Sequence, residues 1–118
     1  MARVALTKTT AALNNGVAIT EVNLSTIVGT TGASAVCGID ESICVYAENT
    51  FGTSKVLTVK AGAFSAAGIG DLEVTLAQNA PKIIGPLEGA RFAQADGKIY
   101  LDCATAATGI IAVLDLAF

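Results

Sequence analysis

The sequence predicts an all-β fold, a two-sheet antiparallel β-sandwich of jelly-roll or immunoglobulin-like kind with little helix. Three observations lead there. Eight to ten short stretches rich in β-branched and aromatic residues recur between turn signals spaced roughly 8 to 12 residues apart. Residues 71–78, "DLEVTLAQ", alternate strictly, with Leu72, Val74 and Leu76 facing one way and Asp71, Glu73 and Thr75 the other, as in a strand with one buried and one wet face. Apolar residues make up 53% of the 118-residue chain, enough to fill the core of one domain of ordinary size. There is no Trp, so the core Trp of antibody-type domains is missing.

The elements follow in order. Residues 3–8, "RVALTK", can form a strand, and residues 1–15 are open to an extended N-terminal arm on the single domain 1–118. "TTAALNNG" suits one helical turn before Asn15 and Gly16, while "VAITEVNLSTIV" reads as strand or short helix, Thr and Val favouring strand. "GTTGASAVCGIDE" is a loop with a short strand at "SAVC". "SICVYAEN" (42–49) and "KVLTVK" (55–60) flank the turn-rich "TFGTS" and read as a hairpin. "AGAFSAAGIG" (61–70) is a small-residue loop. "KIIGPL" (82–87) holds a Gly85 and Pro86 pair that belongs at a strand end or an edge. "ARFAQ" (90–94) and "KIYLDC" (98–103) flank Asp96 and Gly97, a strong hairpin signal because Gly supplies positive φ. "TAATG" makes another turn, and "IIAVLDLA" (110–117), apolar on both faces, reads as a central strand.

Composition excludes several function classes. The seven basic residues include no adjacent pair and the net charge is −3, so a footprint for nucleic acid or anionic lipid is absent. The longest uncharged run, residues 22–39, is broken by polar residues and glycines and does not suit a membrane-spanning helix. "MARVALTKTTAAL" lacks the apolar segment of a secretory signal, so synthesis in and retention by the cytoplasm are expected unless a virion or lysis carries the protein out. With no histidine, Ser-His and Cys-His nucleophile pairs cannot form. Cys37, Cys44 and Cys103 are odd in number and in no CxxC spacing, and Cys103 shares a strand face with Ile99 and Leu101, which favours buried free thiols over a zinc site. The sequon at Asn23 matters only in a glycosylating pathway, for which nothing else argues.

Candidate chemistry is sparse. Asp71 with Glu73, and Asp96 with Asp102, are the carboxylate pairs, but acid/base work needs two carboxyls across a cleft with separated pKa values, which an exposed strand face does not supply. Gly62 and Gly68 are misplaced for a P-loop, and Ile69 stands where its Lys belongs. No calcium-loop pattern surrounds Asp40 and Glu41 or Asp71. No cofactor or metal is therefore expected. The six aromatics, Tyr46, Phe51, Phe64, Phe92, Tyr100 and Phe118, are too dispersed for a base- or sugar-stacking platform. Phe51 and Phe64 fall in expected loops, where they either anchor another chain or cap the sandwich ends.

The run from residue 45 to 116 resembles a family of small tailed-phage and prophage virion structural proteins. The resemblance rests on elements in order: Glu48 and Asn49 ending a strand, a Thr-Val-rich strand at 57–59, the Gly-rich loop 62–70, "DLEVTL" at 71–76, "IGP" at 84–86, Arg91 and Phe92, "DGKIYLD" at 96–102, and the closing 108–116. It implies a non-enzymatic head decoration or auxiliary capsid protein that binds the major capsid protein of the same phage on the virion surface. It also implies a homo-oligomer, with a trimer favoured, while the charge and hydropathy above lead to an expectation of contact with neither nucleic acid nor membrane. For shell contacts the residues singled out are Arg3 and Lys8 in the N-terminal segment and the loop aromatics Phe51 and Phe64. A tail or fibre part, a receptor- or carbohydrate-binding module on the particle, and an enzyme using a carboxylate pair are the competing readings.

Overall fold

The computed structural model describes residues 3–11, 15–28, 32–36 and 42–116. The sequence readings placed on Cys37, Asp40, Glu41 and Phe118 lie outside these residues, as do residues 12–14 of the helical turn expected in 9–16; its Thr9 and Thr10 are strand instead. The chain forms two sheets. One, here called sheet A, has the order β1 (Val4–Leu6), β4 (Ala33–Val36), β9 (Lys98–Cys103), β6 (Lys55–Val59), β7 (Leu72–Leu76). Sheet B runs β2 (Lys8–Thr10), β10 (Gly109–Asp115), β5 (Ile43–Asn49), β8 (Lys82–Ile84), with β3 (Val22–Asn23) pairing β10 beside β2. The apolar positions of both sheets meet in one core: Leu57, Val59 and Leu101 from sheet A lie in the same cluster as Val45, Ile111 and Val113 from sheet B. All-β architecture is thus as expected, and β7 shows the foreseen alternation, its Leu72, Val74 and Leu76 turned inward.

The sheets are mixed rather than purely antiparallel. The run read as one N-terminal strand divides at Thr7: β1 pairs parallel with β4 in sheet A, and β2 pairs parallel with β10 in sheet B. Residues 4–10, inside the stretch open to an arm, therefore sit in the sheets, and Leu6 belongs to the core.

Two further readings are corrected. Residues 42–49 and 55–60 do not pair as a hairpin: β5 bonds to β10 and β8, β6 to β7 and β9. The reason is a corner at Asn49. Its buried side chain donates to the carbonyls of Thr53 and Leu76 (both 2.9 Å) and accepts from the Phe51 N–H (2.9 Å), turning the chain out of one sheet and into the other. Residues 90–94 are not a strand either. Gly89–Phe92 form a single helical turn, α1, in which the Arg91 and Phe92 amides donate to the Glu88 carbonyl and Phe92 enters the core. Tertiary anchoring of one aromatic and the bonds described below outweigh the local β-propensity of "ARF".

Other turns are where the sequence puts them. Gly97 has φ 80° and its amide donates to Gln94, closing the turn into β9. Gly85-Pro86 is a cis peptide bond immediately after β8, an edge strand of sheet B. β10 lies between β2 and β5, and three consecutive residues, Ile111, Ala112 and Val113, are buried.

Candidate interaction surface

β6 and β7 run antiparallel from Lys55 opposite Leu76 to Val59 opposite Leu72. Instead of a tight turn, residues 60–71 form a loop whose two ends are tied together. The Asp71 carboxylate accepts the Ala61 N–H at 2.7 Å and the Lys60 ammonium at 2.9 Å. These bonds, the Ala61 one first, hold its carboxyl below the usual range. α1 braces both sides of the loop. Gly62 N–H donates to Arg91 O (2.7 Å), Ala63 N–H to Ala93 O (2.9 Å) and Gln94 Nε2 to Ala61 O (2.9 Å). From the other side Arg91 Nε donates to Gly70 O at 3.1 Å, and its Nη2 to Asp71 O at 3.3 Å. The approach is so close that a Cβ on Gly62 would lie 2.1 Å from Ala93 O, which explains the glycine.

The tip carried by this frame is apolar. Residues Ser65–Ile69 wind into a 3-10 turn that contains no buried residue. Phe64 is 55% exposed and Ile69 65% exposed, although both are large hydrophobic side chains. Seven bonds, between the loop's ends and to the segment around α1, fix the frame before any partner arrives, which reduces the ordering cost of binding.

The four residues singled out from the sequence fare differently. Phe64 stands on the tip. Phe51 is half-buried, with the Lys55 ammonium 4.5 Å from its ring centroid. Arg3 is engaged within the protein: its guanidinium pairs with Asp102, donates to the Ala33 and Leu101 carbonyls, and stacks 4.4 Å from the Tyr100 ring. Lys8 pairs with Asp115 at 3.0 Å. The structure brings none of these four to a common site.

The carboxylates are likewise spoken for individually. Asp96 accepts from Tyr100 Oη (2.8 Å) and from the Lys98 amide, the first lowering its pKa most. Asp71 precedes β7 and closes the loop, and Glu73 faces outward opposite Thr58. Among the described residues no cluster of three or more His, Cys, Asp or Glu side chains is placed to hold a metal ion. Burial pushes the Cys44 and Cys103 thiols up.

Sequence reasoning passed over Ile69, Asp71, Arg91 and Gln94 as parts of this surface. Ile69 alone left a signal, an isolated large hydrophobe between two glycines; the bracing bonds join residues about 20 to 33 apart in the chain. No family model matches the chain, no curated protein matches it, and no solved structure matches it.

Proposed function

We propose that this protein is a non-enzymatic phage structural protein that binds the assembled capsid and stabilises it, with the tip of loop 60–71 as the contact. The observation that carries the reading is the braced apolar tip, where Phe64 and Ile69 are held out to solvent by a frame of backbone and side-chain bonds. A protein that binds only the assembled shell stabilises it by mass action, as a ligand selective for one state does, and requires no reacting groups. Repetition by symmetry multiplies a modest contact. Arg3 and Lys8, already paired with Asp102 and Asp115, are assigned to the fold and not to the shell.

The ordered resemblance supports the same reading. The residues that carry it hold the architecture together: Asn49 at the corner, Asp71 at the loop base, Phe92 in the core, Gly97 in the turn.

Quantitative mass spectrometry of purified particles tests the proposal by counting copies per major capsid protein. A ratio near one, or a simple fraction of one, is the expected result. A few copies per particle would move the protein to the tail or a fibre, and none would overturn the virion assignment.

A further inference from the structure

The two sheets turn unlike faces outward. On sheet A the outward strand positions are mostly polar, with Thr58, Glu73, Thr75, Lys98, Tyr100 and Asp102 around Val36 and Val56. On sheet B, register puts Cys44 and Tyr46 of β5, Ile83 of β8, and Ile110, Ala112 and Leu114 of β10 on the outward face. Glu48 is the one charged residue among the described strand positions of that face.

This face carries a groove and a protrusion. Residues 15–20 pass beside β2, where the Thr20 N–H donates to Thr9 Oγ1 at 3.0 Å. Between them and β10 lies an open cavity of about 170 Å³, walled by Val17, Ile19, Leu114 and Leu116. Val17, Ile19 and Leu116 are 42%, 47% and 43% exposed. Two strands from the groove's β10 wall and three from β2 beneath it, roughly 10–14 Å across the sheet at ordinary strand spacing, Ile83 stands 65% exposed on edge strand β8.

We propose that this face is the interface of a twofold homodimer, in which the Ile83 side chain of each copy enters the partner's groove between Val17, Ile19, Leu114 and Leu116. A knob and a hole side by side on one face satisfy the requirement of an isologous interface, that one patch be complementary to itself. The area agrees. Val17, Ile19, Ile83 and Leu116 leave on the order of 350 Å² of apolar surface in water, already the size of the largest patch on a typical monomer. With half-buried Tyr46, Ile110 and Leu114 the face reaches roughly 500 Å², so two copies cover about 1,000 Å², the lower bound for a specific interface. Such an arrangement closes after two copies, unlike the trimer that the phage resemblance implies. It does not depend on the capsid reading, so either can fail alone.

The test is sedimentation equilibrium of the full chain from about 1 to 100 µM, a range chosen because an interface of minimal area falls at micromolar affinity. The expected result is a monomer–dimer equilibrium that Ile83→Asp weakens at least tenfold, with thermal melting little changed when both proteins are compared at a concentration low enough to be monomeric, because the position is exposed in the single chain. Oxidative cross-linking fixes the geometry: a mixture of Val17→Cys and Ile83→Cys proteins should give a covalent dimer that neither variant gives alone beyond the wild-type background. A wild type monomeric throughout the range, a trimeric mass, a dimer indifferent to Ile83→Asp, or no cross-link in the mixture would each overturn the proposal.

Discussion

Replacing Asn49 by alanine probes the corner that sends the chain from sheet B to sheet A. The side chain is fully buried and makes three hydrogen bonds, two given to Thr53 O and Leu76 O and one accepted from Phe51 N–H. At about 1 kcal/mol net for each bond, with more where a buried group loses its partner, Asn49→Ala should cost about 3–4 kcal/mol. That is a large share of the roughly 5–15 kcal/mol by which a domain is stable. In urea unfolding, with a slope of about 2 kcal/mol/M, the midpoint should fall by roughly 1.5–2 M at unchanged slope. Asn49→Asp sharpens the test. It keeps the acceptor for Phe51 but sets a carboxylate oxygen against two carbonyl oxygens, so its folded-state pKa must rise above the unfolded value of about 3.9. An acid with a raised folded pKa is best tolerated below its unfolded pKa, and the variant should lose stability relative to wild type as pH rises through that range. A loss below about 1 kcal/mol for Asn49→Ala, or an Asn49→Asp protein as stable as wild type at pH 7, would refute the assignment of the corner to this side chain.

Three further outcomes follow from the loop. Phe64→Ser and Ile69→Ser should each leave urea stability within about 0.5 kcal/mol, since both sites are exposed, yet weaken particle binding at least roughly tenfold in a pelleting assay, the effect of losing about 1.5–3 kcal/mol of apolar burial. Gly62→Ala places a Cβ 2.1 Å from Ala93 O and should cost about 1–3 kcal/mol in the same unfolding assay, because neither backbone segment can yield without breaking its bonds to the other. Asp71 has a lowered pKa, so its contribution is present above the unfolded pKa and lost as pH falls through the folded one. The stability gap between wild type and Asp71→Asn should therefore close as pH falls from above the unfolded carboxylate pKa of about 3.9 through the lower folded one, and a gap independent of pH would contradict the carboxylate's role.

The fold was legible where chemistry is local. Alternation in residues 71–76, the apolar run at 110–116, and the Asp96-Gly97 turn each carry their own instruction, and β7, β10 and the turn into β9 appear accordingly. It was illegible where a distant partner decides. Nothing near Asn49 in sequence announces that its amide will bond Leu76, 27 residues on, and without that bond "TFGTS" reads as a hairpin turn. Likewise "ARFAQ" has strand composition, and only the core position of Phe92 and the bonds from Gly62 and Ala63 make it a helical corner. The candidate site divides in the same way. Phe64 was visible as an aromatic in a small-residue loop, whereas the pairing of Arg3 with Asp102 and of Lys8 with Asp115 joins residues about 100 apart and leaves no local signal.

The loop and the face of sheet B act on each other through geometry if both proposals hold. A dimer presents two tips, so once one has engaged the shell the second binds at an effective concentration set by the rigid separation of the pair, which reaches millimolar values when the spacing fits and vanishes when it does not. Ile83→Asp leaves the loop and its bracing bonds untouched, yet it should shorten the residence time of the protein on particles. Phe64→Ser should do the opposite, leaving the dimer intact and removing the shell contact. Measuring dissociation from particles for both variants and for the double variant separates the two effects. In a dimer-driven mechanism the double variant loses little beyond Phe64→Ser, since a second weak tip adds nothing to a first that no longer holds. Losses that simply add would mean that each tip binds alone and that self-association serves some other end.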